Sequence, residues 1–466
     1  MTTMSSPPTG DRGRVGVGVL LAIFSAACTY PSNEPAGEPV AYGTAEIRPI
    51  ERTIVGAAAP YEADSSLRAR TSALAASQKA RRKAAWGALA RVLRPVAIAE
   101  KAPPEPSVPT FRTWYGSDDF QRIFAHAFSS MSAADRTARR ALRDDEIAAA
   151  LAWNATSRGS ASDDDYAARL GLLNDRAAVN GLGGNMRVSY SPAAIAHLAA
   201  DYAHALDCTR ARSDDPEPSP TSFAPCLGEE MPTDAAIVKT AWLRADFGAT
   251  VPAYDTSPRR QTPSDGSWGP GENQASPGPS DIYTIRLNDG TSYRLAGMHL
   301  MTKELREWLW ITIFWSPDPN ADLGADRPDA IRALDGPWSH YAMCVVTSYD
   351  ERDPDPRGGY DGSLGDALAA AYGGVGGPTW CSNPYIEHGA HNAQTNCIGC
   401  HQHAATDTRT ETILSDVTRF PANGRTRSRR SFLSDYVWSI GPSPEHLATI
   451  IDTARARFFF RKPVSP

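Results

Sequence analysis

DIYTIRLNDGTSYRLAGMHLM, residues 281–301, decides how the middle of the chain folds. β-Branched and aromatic residues cluster on both sides of Asn288-Asp289-Gly290, a tripeptide that accepts the positive φ angles of a tight hairpin turn. The spacing predicts two antiparallel strands. Working outward, AIVKTAWLRADF (236–247), EWLWITIFWS (307–316) and HYAMCVVTSY (340–349) carry the same residue types. Five such segments predict an antiparallel β-sheet or sandwich over residues 231–350. Residues 250–280, rich in Pro, Gly and Ser, are expected to form a long surface loop.

Upstream the apolar period is helical. AAWGALARVL places Trp86, Leu89 and Val92 on one stripe, and FQRIFAHAF does the same with Phe120, Ile123, Phe124 and Phe128. PAAIAHLAADYAHAL (192–206) opens with Pro at a helix start. Downstream, Ser443-Pro444-Glu445 is a good N-cap before HLATIIDTARARF. The expected class is α+β, with a helical region over 84–230, the β region, and a C-terminal segment over 351–466 that ends in a helix. Residues 29–83 are rich in Pro, Glu, Ala and Ser with few large apolar residues, which predicts a disordered linker.

The chemistry concentrates in NAQTNCIGCHQHAAT, residues 392–406. With seven cysteines and ten histidines in 466 residues, a chance C-x-x-C-H is expected on the order of 0.002 times in the chain. The pattern is the attachment signature of haem c: Cys397 and Cys400 bond the haem vinyls as thioethers, and His401 lies under the iron as proximal ligand. One covalent haem is implied. A redox dithiol, a strained local disulfide and a zinc site completed by His388, His391 or His403 are rival readings of the same residues.

The N-terminus bears on the choice. Arg12 and Arg14 precede the apolar run Val15–Ala27, which is too short to span a bilayer, and Ser25-Ala26-Ala27 stand before Cys28. Residues 1–28 thus read as a secretory signal peptide. The segment is similar to a bacterial lipoprotein signal, with Cys28 as the lipidated residue, although Ser25 stands where that pattern usually has Leu. This places the chain in the periplasm or on the outer membrane of a Gram-negative bacterium, tethered through Cys28. Four cysteines then remain for an oxidising compartment: Cys208, Cys226, Cys344 and Cys381. Cys208–Cys226 would close a polar loop, and Cys344–Cys381 would tie the β region to the segment before the haem motif. A net charge of −6 argues against nucleic-acid binding; the expected partner is a redox protein.

The segments VPTFRTWYGSDDFQRIF (108–124), AIVKTAWLR, GMHLMTKELREWLWITIF (297–314), QTNCIGCHQHA and FLSDYVWSI (432–440) resemble a family of bacterial exported or lipoprotein c-type cytochromes with a single C-x-x-C-H. The resemblance spans roughly residues 86–440 and implies a secreted haem protein, without naming a substrate. In that family the tryptophan-rich strand often continues Thr-Phe-Glu-His, whereas here Phe314 runs into Trp315-Ser316, so that histidine has no counterpart.

No methionine follows Met343, so a sixth iron ligand must come from elsewhere. The candidates are Met298, His299, Met301 and Met343, with 298 and 299 on alternate sides of a strand. A Met/His pair raises the potential and shields the iron, as suits an electron carrier. An open position would suit a haem enzyme of peroxidase or oxidase type. A third reading is a binding or scaffold lipoprotein in which haem or zinc is structural. Trp308, Trp310, Trp315, Trp338 and Trp438 could line a haem, and Arg425, Arg427, Arg429 and Arg430 could hold its propionates. The chain contains no P-loop, G-x-S-x-G, H-E-x-x-H or strand-linked G-x-G-x-x-G.

Overall fold

The structure is a computed structural model that describes residues 56–97, 107–157, 186–207, 226–245, 250–256, 264–271, 273–286, 292–348, 381–387, 389–406, 410–415, 432–440 and 447–457. Cys28 and the rest of the expected signal segment, Cys208, His388, His446 and the Arg425–Arg430 run lie outside the described residues.

Among the described residues the chain is α+β, with helices flanking one antiparallel sheet. The helices used below are α1 (Gln78–Leu93), α2 (Ser117–Ser130), α3 (Asp144–Ser157), α4 (Pro192–Ala200), α5 (Tyr202–Asp207), α6 (Cys397–His401) and α7 (Leu447–Arg457). The strands of the sheet are β1 (Met186–Tyr190), β2 (Ala236–Arg244), β3 (Thr284–Arg286), β4 (Ser292–Thr302), β5 (Leu309–Trp315) and β6 (Tyr341–Val346). Their order is β6-β5-β4-β2-β1, and β3 pairs with the first residues of β4. The hairpin partnership of 281–301 is therefore present, Ile285 facing Tyr293, while the turn itself lies outside the described residues.

The five β segments read from the sequence all supply strands of this sheet, and among the described residues the other pairings are two-stranded ribbons rather than the second sheet of a sandwich. Three boundaries differ from expectation. Residues 56–83, assigned to the linker, are part of the packed body: Tyr61, Leu67 and Leu74 are buried. A few apolar anchors suffice there because polar groups help. Buried Glu304 accepts from the Asp64 N–H at 2.6 Å and pairs with Arg91, which also donates to the Tyr61 hydroxyl. The edge strand β1 falls inside the expected helical region. It is only five residues long and mostly half-buried, too short for alternation to signal it. The expected 250–280 loop contains a small ribbon, Val251–Ala253 against Asn273–Ala275, and buries Trp268.

α1 is anchored beside β5 and β6. Its Arg82, almost wholly buried, donates to both carboxylate oxygens of Asp326 at 2.6 Å and to the Met343 and Leu323 carbonyls at 2.6 and 2.7 Å. Pairing and complete hydrogen bonding are what let a guanidinium sit there. α2 packs with α3 and α7, α7 also meets α5, and the ring stack Phe120–Phe124–Phe128–Tyr202 joins α2 to α5. Asp119 of α2 accepts from the Gly116 N–H and pairs with Arg122, which satisfies a donor at the helix start.

Candidate functional site

Side chains alternate across a strand, so the register of four strands sorts the sheet into two faces. Lys239 of β2, His299 of β4, Thr312 of β5 and Cys344 of β6 lie in one row. The neighbouring row on that face holds Met301, Trp310 and Val346. Met298, Ile313 and Met343 form a row on the opposite face. The C-terminal segment lies on the first face, through three kinds of bond. Cys344 is disulfide-bonded to Cys381. The Asn383 amide donates to Thr312 Oγ1 at 3.1 Å and to the Ile313 carbonyl at 3.0 Å. Trp310 packs against His401 with ring centroids 4.7 Å apart.

Gly297 makes this approach close. A Cβ there would fall 2.6 Å from Asn383 Oδ1, so only glycine lets the asparagine lie against the strand. Cys381 also bridges Asn396 in parallel fashion, its N–H donating to the Thr395 carbonyl at 3.2 Å. The disulfide thus holds the residue just ahead of the helix that carries the motif.

That helix, α6, is a single turn. Asn396 caps it by accepting from the Gly399 N–H at 2.8 Å. Cys397 and Cys400 are free thiols, whereas Cys226, Cys344 and Cys381 are all disulfide-bonded; Cys208, the expected partner of Cys226, lies outside the described residues. Burial lifts the Cys397 thiol well above its ordinary value and pushes Cys400 up to about 12. Both are protonated at neutral pH. The Thr395 hydroxyl lies 3.3 Å from Cys400 Sγ.

His401 donates from Nδ1 to the Tyr436 carbonyl at 2.9 Å. A carbonyl only accepts, so Nδ1 carries the proton and Nε2 keeps its lone pair. Burial lowers the His401 pKa to about 4, which keeps the ring neutral. Trp438 flanks the ring at 6.0 Å.

The accepting carbonyl is itself fixed. Asp435 and Tyr436 both adopt the left-handed conformation, φ 48° and 67°, which side-chain-bearing residues rarely take. A buried network compensates. Asp435 Oδ1 accepts from Lys303 Nζ at 2.7 Å, Oδ2 from the Met231 N–H at 2.9 Å, and its carbonyl from Trp308 Nε1 at 3.0 Å. Burial, ahead of the opposing pull of Lys303, raises the Asp435 pKa to about 6.

A second set of donors lies beside the first thiol. One ligand atom each from His299, Glu387 and Cys397 fall within 4.8 Å of one another. Glu387 Oε2 accepts from the Asn383 N–H, and lies 3.3 Å from Ser382 Oγ and 3.5 Å from His299 Nε2. Burial works to raise the Glu387 pKa, but the His299 imidazole and the Asn383 N–H outweigh it and hold the group below its usual value.

The structure thus brings Cys397, Cys400, His401, His299 and Met301 onto one side of the sheet. It places Met298 and Met343 on the other, with the sheet between them and His401. His403 is buried in the turns after α6, and His391 is exposed. Trp338 stacks on Tyr283 in the core rather than near His401. Sequence reasoning missed Glu387, Asn383, Asp435, Tyr436 and Lys303. The clusters SNPYIEH and FLSDYVWSI carry the first four and Lys303 follows β4, but nothing in their spacing says which groups meet. Comparisons of the chain with protein-family models, with curated proteins and with solved structures find no match.

Proposed function

We propose that the chain is an exported monohaem c-type cytochrome that passes single electrons. The observation that carries this reading is the state of Cys397-Ile398-Gly399-Cys400-His401: two free thiols and a neutral histidine whose Nδ1–H is taken by a backbone carbonyl. Those residues fit haem c. Cys397 and Cys400 would form the thioethers, His401 Nε2 would face the iron, and the Tyr436 carbonyl would fix the tautomer and the ring plane. Bound haem would supply one-electron iron chemistry. Trp310 and Trp438 pack against the His401 ring. His299 and Met301 are the sixth-ligand candidates on the same face. The partner is a redox protein. A signal segment ending at Cys28 places the chain in the periplasm or, lipid-anchored, at the outer membrane.

The alkaline pyridine haemochrome spectrum tests the reading, on protein exported in a host with c-type haem assembly. A c-type band that disappears in Cys397→Ala/Cys400→Ala supports it. Haem-free protein from that host overturns it.

A further inference from the structure

We propose that His299, Glu387 and Cys397 form a binding site for a thiophilic divalent cation of the zinc class, available while the Cys397 sulfur is a free thiol. The site does not depend on haem. It uses two residues, from β4 and from the turn after Cys381, that the attachment motif does not contain.

Three observations converge on it. The first is distance. Tetrahedral zinc with bonds of roughly 2.0–2.3 Å sets its ligands roughly 3.3–3.8 Å apart. His299 Nε2 and Glu387 Oε2 are already 3.5 Å apart, and Cys397 Sγ lies within 4.8 Å of both groups' ligand atoms. The three donors thus stand within about 1 Å of tetrahedral spacing before any ion is bound.

The second is an unmet need. His299 Nε2 is shut away from solvent and makes no hydrogen bond. A buried polar atom left without a partner is destabilising, and a coordinated cation removes that penalty. Neighbouring Glu387 approaches it at ion-pair distance but not in hydrogen-bonding geometry.

The third is the support behind the donors. Ligating carboxylates are usually held by further hydrogen bonds. Here the Asn383 N–H donates to Glu387, and the Ser382 hydroxyl, which accepts from Trp268 Nε1 at 3.0 Å and donates to the Asn392 carbonyl at 2.7 Å, lies 3.3 Å from the same carboxylate. His299 is fixed by strand pairing on both sides, to Lys239 and Thr312. Cys397 starts a capped helix whose approach is pinned by the Cys344–Cys381 disulfide.

The donor set selects the ion. One thiolate, one imidazole and one carboxylate suit zinc or cobalt(II), whereas magnesium and calcium take oxygen ligands. Binding releases the Cys397 proton to solvent. A sulfur committed to a haem thioether offers no thiolate, so cation binding and haem attachment exclude each other at this residue. The fourth tetrahedral position is left to water.

The test uses the full-length chain, made in an oxidising compartment without haem-attachment machinery and titrated with Co²⁺, then with Zn²⁺. One equivalent of Co²⁺ gives a thiolate-to-cobalt charge-transfer band that Zn²⁺ removes. His299→Ala and Glu387→Gln each weaken Co²⁺ binding at least about tenfold, while Met298→Leu on the opposite face leaves it unchanged. Zn²⁺ also slows alkylation of Cys397, read by peptide mass spectrometry, so the site is tested without any substitution. Absence of the band with no protection of Cys397, or a band of equal affinity in both His299→Ala and Glu387→Gln, overturns the proposal. The haemochrome experiment uses separately matured protein, so either reading can fail while the other stands.

Discussion

The two faces of the central sheet are built from the same few strands, yet they carry different chemistry. On one face, Met298, Ile313 and Met343 form an apolar row within the hydrophobic core. On the other, Lys239, His299, Thr312 and Cys344 form a row of polar and bonding groups, covered by the C-terminal segment. The tetrapeptide Met298-His299-Leu300-Met301 contributes to both. The Met298, Ile313 and Met343 side chains of the first face are held by burial, which tolerates exchange among apolar residues of similar volume, and Thr240, next in the row on β2, accepts from Trp242 Nε1 at 2.8 Å. The second depends on particular partners, and each partner lost leaves another group unsatisfied. Substitutions on the two faces should therefore differ in kind as well as in size.

The largest effect is expected behind the second face, at Lys303. Lys303→Met strands the fully buried Asp435 and should cost about 3–5 kcal/mol of stability. The pH sign follows from Asp435. Its folded pKa of about 6 lies above its ordinary 3.8. Between those values the native state keeps a proton that the unfolded chain has released, so this group's contribution is full below the ordinary value and is lost as pH rises through about 6. The damage from Lys303→Met should then be greatest near neutral pH and shrink on mild acidification, as urea denaturation at about pH 8 and about pH 5 would read. A double variant, Lys303→Met/Asp435→Leu, should recover much of the loss, because the stranded charge is gone.

Next in size is the covalent tie. Cys381→Ser with Cys344→Ser opens a loop of 37 residues, which in the chain-entropy account removes about 4 kcal/mol. The loss should concentrate in the covering segment. Hydrogen exchange should accelerate over residues 381–401 before it does in β4 and β5. Equal acceleration in both regions would mean that the two layers unfold as one. Gly297→Ala is smaller. The new methyl meets the Asn383 amide, and displacing it should cost about 1–3 kcal/mol by thermal denaturation.

The sheet was legible because its signal is local. Clustered β-branched and aromatic residues over 281–301 and 307–316 mark the strands, and the period of two along a strand already separated residues 298 and 299. The Cys344–Cys381 pairing was legible too, since so few cysteines leave so few choices. The ordered stretch 56–83 was missed because its attachment is long-range: Asp64 and Tyr61 are held by Glu304 and Arg91, and no local pattern records such partners. The same reason hid most of the site. His401 is marked by its motif, but the carbonyl that orients it is 35 residues away, in a turn with two non-glycine residues in left-handed geometry. Nothing in the composition of FLSDYVWSI announces that geometry, which persists because Lys303, Trp308 and the Met231 N–H hold Asp435.

The smallest expected effect sharpens the comparison most. Met298→Leu and Met343→Leu conserve volume in a packed row and should each cost less than about 1.5 kcal/mol. With the sheet between these side chains and His401, neither substitution should alter the haem spectrum of matured protein. Met301→Leu and His299→Ala are on the His401 side, so a sixth ligand drawn from the four candidates must reveal itself there, as a change of spin state in one of them and not in the other. A spectral change in Met343→Leu would require β6 to turn over when haem binds. That reversal is blocked by the Cys344–Cys381 disulfide, since a one-residue slip would carry Cys344 to the opposite face. The spectrum of a conservative methionine variant therefore also reports whether the sheet register holds in the matured protein.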